Sequence, residues 1–176
     1  VVGINAAKTA CGLGARVYVL DVDLDRLRYL SDVMPNNCFI LMSSPANVRD
    51  LITRADVVIG AVLVPGSRTP ILVNRKMLNT MKKGAVLVDV SIDQGGCFET
   101  SKEMTHINPT YVIDDIVHYA VSNMPGAVPK TSTLALTNAT LPYALEIANK
   151  GWQRAMRENQ EIKLGANVVK GKVTYK

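Results

Sequence analysis

The run from Gly84 to Gly96, GAVLVDVSIDQGG, gathers the side chains of most obvious chemical use in this sequence. An apolar stretch ends there in Asp89, Ser91, Asp93 and Gln94, and two glycines follow. Carboxylates placed just past a buried strand can move protons, and the missing side chains of Gly95 and Gly96 let backbone come close to a ligand. Asp93 is the best acid or base of the group. A strand followed by an ordinary Asp/Gly turn accounts for the same residues equally well. A second carboxylate, Asp21, closes the run ARVYVLD, 18 residues after Gly3. That is near the spacing at which a strand-terminal carboxylate hydrogen-bonds the adenosine ribose of a dinucleotide, with Gly3 in the third glycine position, where a helix packs closely on a sheet. Strand-terminal aspartates and single glycines near helix starts also have purely structural uses.

Other ionisable groups carry weaker signals. Arg26 can face a phosphate or pair with Asp23 or Asp25 on a helix surface. His118 lies in an apolar run, where a histidine with satisfied hydrogen bonds is commoner than a catalytic one, and His106 lies in a polar loop. Glu146 and Lys150 are four apart on a helical stretch, the spacing of a surface ion pair. The segment Ser122 to Pro129, SNMPGAVP, is stiffened by two prolines and suits the wall of a cleft.

The elements that would position these groups alternate. Val2 to Gly14 reads as a helix with a small-residue face, Ala15 to Asp21 as a strand, Asp25 to Val33 as a helix and Cys38 to Met42 as a strand. Ala46 to Ala55 (helix), Asp56 to Leu63 (strand), Asn74 to Lys82 (helix) and Gly84 to Val90 (strand) continue the pattern. Such alternation predicts an α/β fold, a Rossmann-type doubly wound parallel sheet, with its first strand missing because the sequence opens inside the first helix. In open sheets of this kind ligands sit beyond the carboxyl ends of the strands, which is where Asp21 and Asp93 fall. After Gly96 the pattern changes: Pro109 to Val121 is strand-like around a turn at Asp114 and Asp115. Thr131 or Ser132 is expected to cap a helix reaching Asn149, kinked by Pro142 and ended by Gly151. Trp152 to Glu161 reads as one short helix, and GANVVKGKVTYK as a small strand pair or a segment packed on something outside the chain.

Composition removes several classes of function. The 176 residues suffice for one substantial core. A formal charge of +5 is scattered apart from Lys163, Lys170, Lys172 and Lys176, which is not the concentrated basic stripe of a nucleic-acid binder. Cys11, Cys38 and Cys97 are an odd number at unrelated spacings, which suggests neither disulfide framework nor zinc site and points to a reducing, cytoplasmic setting. No apolar run reaches the roughly 20 residues a bilayer span needs.

The stretches GLGARVYVLDVDLDRLRYL, GAVLVPGSRTPILV, MKKGAVLVDVSIDQGGCFETS and HYAVSNMPGAVPKTSTLALTNATLPYAL resemble alanine dehydrogenase along nearly the whole chain. The resemblance implies a two-domain enzyme, usually hexameric, that interconverts L-alanine with pyruvate and ammonia using NAD. Residues 1–130 would then be the NAD-binding domain, and residues 131–176 would be C-terminal helices and a tail returning to the substrate domain. It puts the pyrophosphate near Val1, Val2 and Gly3, and the adenosine ribose on Asp21 with Arg26 close by. Further cofactor contacts fall on Ser43, Val62, Leu63, Val90, Ser91, Ile92, Asp93, Val121, Ser122, Asn123 and Met124, and Asp93 matches the active-site aspartate. Lys102 stands where some members have a cofactor-contacting arginine. Glu146 matches a magnesium ligand of some members, but Lys150 replaces its partnering histidine, so no metal is expected. The first fingerprint glycines and the substrate-binding residues would lie upstream of Val1, making the sequence part of a longer enzyme. The alpha subunit of proton-translocating transhydrogenase shares the PG loop and the VxVD-type strand but not IDQGG or HYAVSNMPGAVP. A non-catalytic NAD-binding module is the other alternative.

Overall fold

The computed structural model describes residues 1–174; Tyr175 and Lys176, the last of the four tail lysines, lie outside the described residues. The chain divides into two compact units, Val1–Met124 and Pro125–Lys176.

In the first unit, helix α1 (Val2–Gly12) leads to strand β1 (Val17–Asp21), helix α2 (Leu24–Val33) and strand β2 (Cys38–Met42). Asp23 caps α2 by accepting from the Asp25 and Arg26 amides, and Leu27 and Leu30, three apart, form its buried stripe. Helix α3 (Pro45–Ile52) starts with Ser44 as cap and a proline in its first turn, which fixes the N-terminal geometry. Strand β3 (Val57–Gly60), the short helix α4 (Arg75–Leu78) and strand β4 (Val86–Asp89) follow. Strands β5 (Thr110–Ile113) and β6 (Ile116–Tyr119) complete the unit.

The alternation read from the sequence is present, with strands β3 and β4 and helix α4 shorter than expected. β1 pairs with β2 in parallel, from Val17 opposite Cys38 to Asp21 opposite Met42. A second sheet has the order β3-β4-β6-β5, parallel except for the β5–β6 pair. The parallel strands are therefore shared between two sheets, and β1 and β3 are each paired on one side among the described residues. The strand-like run around Asp114 and Asp115 is the β5–β6 hairpin. Both aspartates adopt positive φ, 51° and 64°, the backbone of a two-residue hairpin turn. The core of this unit is Ile52, Val73, Leu78, Met81, Ala85, Leu87, Cys97, Phe98 and Ile116. It lies around the β4 and β6 strands whose ends carry the candidate site.

The second unit differs from the sequence expectation in two places. Helix α5 spans Pro129–Lys150, so neither Thr131 nor Ser132 is its cap. Pro129, which needs no partner for an N–H it lacks, starts the helix at least three residues earlier, with Val128 as cap, and the Ser132 hydroxyl donates to the Pro125 carbonyl at 2.7 Å. The helix continues through Pro142, which offers no N–H to the carbonyl four residues before it, and ends at Gly151 with φ 76°. The expected single helix after Gly151 is two, α6 (Trp152–Glu158) and α7 (Gln160–Leu164). Asn159 divides them, because it is extended and its side chain caps α7 by accepting from the Glu161 and Ile162 amides. The tail forms a strand pair, β7 (Val168–Val169) with β8 (Lys172–Val173).

Candidate functional site

β4 delivers Asp89 to its carboxyl end, where it is 1% exposed, two residues after the buried Leu87. Its carboxylate survives burial because donors surround it. Oδ1 accepts from the Ser91 amide at 3.0 Å and lies 3.5 Å from the Cys97 thiol. Oδ2 accepts from the amides of Cys97 at 2.9 Å and Phe98 at 3.3 Å, and from the Ser101 hydroxyl. Burial pushes the Cys97 thiol up to about 12, and the Asp89 charge adds to the rise, so Cys97 stays protonated as a donor.

The turn held this way contains a short 3-10 helix, Ile92–Gln94, which buries Ile92 and exposes Asp93. Gly96 closes it with φ 78°, and a Cβ there would come within 2.9 Å of Asp89 Oδ2 and of Ser101 Cβ. The neighbouring loop adds two fastenings. The Ser91 hydroxyl donates to the Val62 carbonyl and the Thr69 hydroxyl to the Gly96 carbonyl, both at 2.7 Å. Asp93 Oδ1 accepts from the Asn123 amide at 3.3 Å, and the Asn123 carbonyl is 3.0 Å from His106 Nε2. Next to Asp93 in the sequence, Gln94 Oε1 is buried with no hydrogen-bond partner among the described residues.

Most of the sequence-predicted residues stand at the carboxyl ends of parallel strands in the two sheets. Asp21, Ser43, Val62, Leu63, Val90 to Asp93, and Val121 to Met124 all follow the carboxyl ends of parallel strands, β1, β2, β3, β4 and β6 respectively. Val1, Val2 and Gly3 form the start of α1, which has no side-chain cap and no acidic residue in its first turn. Gly3 sits 3.8 Å, measured from where its Cβ would be, from Ala61 Cβ just after β3. Asp21 Oδ1 accepts from the amides of Val22 at 2.7 Å and Asp23 at 3.1 Å, while Oδ2 accepts no hydrogen bond among the described residues. The Ser43 amide donates to the Asp21 carbonyl at 2.8 Å.

Two further candidates have partners of their own. The Arg26 guanidinium lies over the Tyr29 ring, 5.2 Å from its centroid, and it is Arg28 that pairs with Asp25. Lys102 is exposed, and its amide donates to the Tyr111 hydroxyl at 2.7 Å.

His118 is a satisfied core residue. Nδ1 is 3.0 Å from the Ile116 carbonyl, which makes it the protonated nitrogen, so Nε2 accepts from the Thr100 hydroxyl at 2.8 Å. Burial lowers the ring's pKa, and the ring stacks on Tyr111 at 4.9 Å. In the second unit Lys150 Nζ lies 2.8 Å from Glu146 and 3.0 Å from Glu158, so an ammonium occupies the space between two carboxylates.

The sequence reading missed Asp89 as the centre of the turn, together with Thr69, Cys97 and Ser101. The available signal was an aspartate at the end of a strand destined for burial on both faces, which must meet a set of donors.

A family model, the C-terminal domain of alanine dehydrogenase/PNT, matches residues 1–176. The chain belongs to that family. Alanine dehydrogenase 2 of Staphylococcus aureus (strain USA300) is 54% identical over 175 residues, covering 99% of this chain and 47% of the relative. A solved L-alanine dehydrogenase superposes with a TM-score of 0.88 at 45% identity, over 99% of this chain and 48% of that one. The solved transhydrogenase from Sinorhizobium meliloti is more distant, with a TM-score of 0.67 and 26% identity over 75% of this chain and 38% of that one. This alanine dehydrogenase/PNT domain thus spans about half the length of the curated relatives it matches. The resemblance read from GAVLVPGSRTPILV and HYAVSNMPGAVP is borne out, and so is the α/β class of the fold.

Proposed function

We propose that this chain is the nucleotide-binding part of an NAD-dependent alanine dehydrogenase, which converts L-alanine, water and NAD to pyruvate, ammonium, NADH and a proton. The observation that carries the reading is that Asp21, Ser43, Val62, Asp93 and Asn123 each stand at or just past the carboxyl end of a parallel strand, the end at which α/β sheets bind dinucleotides. The residues fit the cofactor. The uncapped amides at the start of α1, near Val1, Val2 and Gly3, suit a pyrophosphate, and Asp21 Oδ2 is left over to accept from ribose hydroxyls. Arg26 closes the adenosine side. Leu63, Val90, Ser91, Ile92, Val121, Ser122 and Met124 supply the remaining wall, with Lys102 a further contact.

NAD, when bound, supplies the acceptor for a hydride from Cα of alanine. This chain's contribution to the chemistry is Asp93, whose exposed carboxylate is steadied by the Asn123 amide. A carboxylate there stabilises positive charge on the substrate nitrogen and accepts a proton as water adds. General acid or base help of this kind is worth roughly a hundred- to ten-thousand-fold in rate.

Three free cysteines accord with a cytoplasmic enzyme, and the resemblance with a homohexamer, which sedimentation of the full-length protein measures. No helix among the described residues is long and apolar enough to cross a membrane. The deciding experiment mixes the full-length protein with NAD and L-alanine and follows NADH. Alanine-dependent NADH supports the reading. NAD binding without it, accompanied by hydride exchange between NADH and an NADP analogue, would replace this reading with a transhydrogenase.

A further inference from the structure

We infer that Asp89 is a positioning residue for the reaction: its buried carboxylate clasps both ends of the turn that carries Asp93 and so sets where the Asp93 carboxylate stands. The inference rests on the proposed role of Asp93.

The geometry is that of a staple. The donors to Asp89 come from Ser91 on one side of Asp93 and from Cys97, Phe98 and Ser101 on the other. Three of them are backbone amides, so the clasp constrains the path of the chain and not only the side chains. Between the two anchored ends the 3-10 helix is closed on itself, with the Gln94 and Gly96 amides donating to the Ser91 carbonyl at 2.9 and 3.1 Å. Asp93 therefore has little freedom of its own, being fixed through Ser91 on one side and Gly96 and Cys97 on the other.

A neutral acceptor could not replace this carboxylate, because every group around it is a donor. An ionised Asp is acceptor-only and meets all five with its two oxygens. An Asn keeps the shape but turns one oxygen into an NH2 that faces other donors. Hydrogen bonds to a buried charge also restrain the turn more firmly than neutral ones would. Gly96 reports the same crowding, since a side chain there would press on Asp89 Oδ2 and Ser101 together.

The test is a double-mutant cycle in the full-length enzyme. Asp89→Asn should lower kcat by about 10- to 100-fold, the scale of a misplacement near 1 Å, with NAD dissociation changed less than about threefold. In the Asp93→Asn background the same substitution should cost less than about twofold in kcat, because the group it positions is already gone. Equal losses in both backgrounds, or an unchanged kcat in Asp89→Asn, would overturn the inference. Ser101→Ala removes one donor and spares the carboxylate, and serves if Asp89→Asn does not fold. It should show the same background dependence at smaller size, and additive losses there count equally against the idea. A wild-type enzyme without alanine turnover would remove the functional reading instead. The clasp is then read from amide hydrogen exchange: faster exchange at Ser91, Cys97 and Phe98 in Ser101→Ala sustains it, and unchanged exchange refutes it.

Discussion

The Asn123 amide donates to Asp93 Oδ1 at 3.3 Å, so the turn after β6 and the turn after β4 meet at one exposed carboxylate. Asn123 holds this position with φ 52°, a backbone conformation that Asn tolerates better than most side chains. The pairing joins two stretches, IDQGG and AVSNMPG, that lie 30 residues apart in the sequence.

Asp93→Asn keeps the shape of the side chain and its bond from Asn123 while removing the charge. In the full-length enzyme kcat should fall by roughly a hundredfold or more, with the NAD dissociation constant nearly unchanged, because the lost interaction belongs to the transition state. Steady-state kinetics and a binding titration check it. Near-normal turnover, or a defect confined to NAD binding, would strike Asp93 from the catalytic role.

Asp21→Ala removes the acceptor left over at the end of β1. NAD binding should weaken by about 1.5–3 kcal/mol, the worth of a hydrogen bond to a charged group, and discrimination against NADP should relax as like-charge repulsion disappears. The ratio of kcat/KM for the two cofactors reads this directly. If that ratio does not move, Asp21 does not face the ribose.

His118 makes stability depend on pH. The folded ring titrates below its ordinary value because burial disfavours the cation, so the folded state holds the neutral form. Its contribution is intact above an unfolded-state value of about 6.5 and is lost as pH falls below that toward the lowered folded value. The Tm should therefore decline below about pH 6.5, and His118→Gln should show a shallower decline from a lower starting point. Melts from pH 8 to pH 5 that run parallel for the two proteins would contradict it.

Thiol chemistry offers an independent check on the Asp89 site. Cys97 is pushed up to about 12 by burial and the Asp89 charge, and Cys38 to about 11 by burial and the nearby Cys11 thiol. Since the thiolate is the nucleophile, both should react with iodoacetamide at neutral pH far more slowly in the native protein than after unfolding. Mass spectrometry of labelled peptides identifies each site. Rapid native labelling of Cys97 would mean the clasp is open.

The first unit was legible because short apolar runs alternate in it with amphipathic stretches such as α2, whose buried residues are Leu27 and Leu30. Cys38–Met42 was read to the residue, and the Asp114–Asp115 turn was visible because two aspartates interrupt an apolar run. Helix boundaries in the second unit were harder. Pro129 and Thr131 both signal a helix start, and only the packing of the Pro125 turn selects between them. Asn159 was read as helix interior because nothing local distinguishes an interior Asn from a cap. In the site, Asp21 and Asp93 could be chosen by their place after apolar runs. The clasp could not, because it depends on Cys97, Phe98 and Ser101 returning to Asp89 through three-dimensional folding.

Gly60 sits where a Cβ would fall 2.1 Å from the Cys97 sulfur and 2.8 Å from the Phe98 ring. One small volume is thus shared between the end of β3 and the far end of the Asp93 turn. Homologues of this chain that carry a larger residue at position 60 should carry a smaller one at 97 or 98. The two segments are free to vary only as a pair, and the drift permitted to the Asp93 turn is limited by the end of β3.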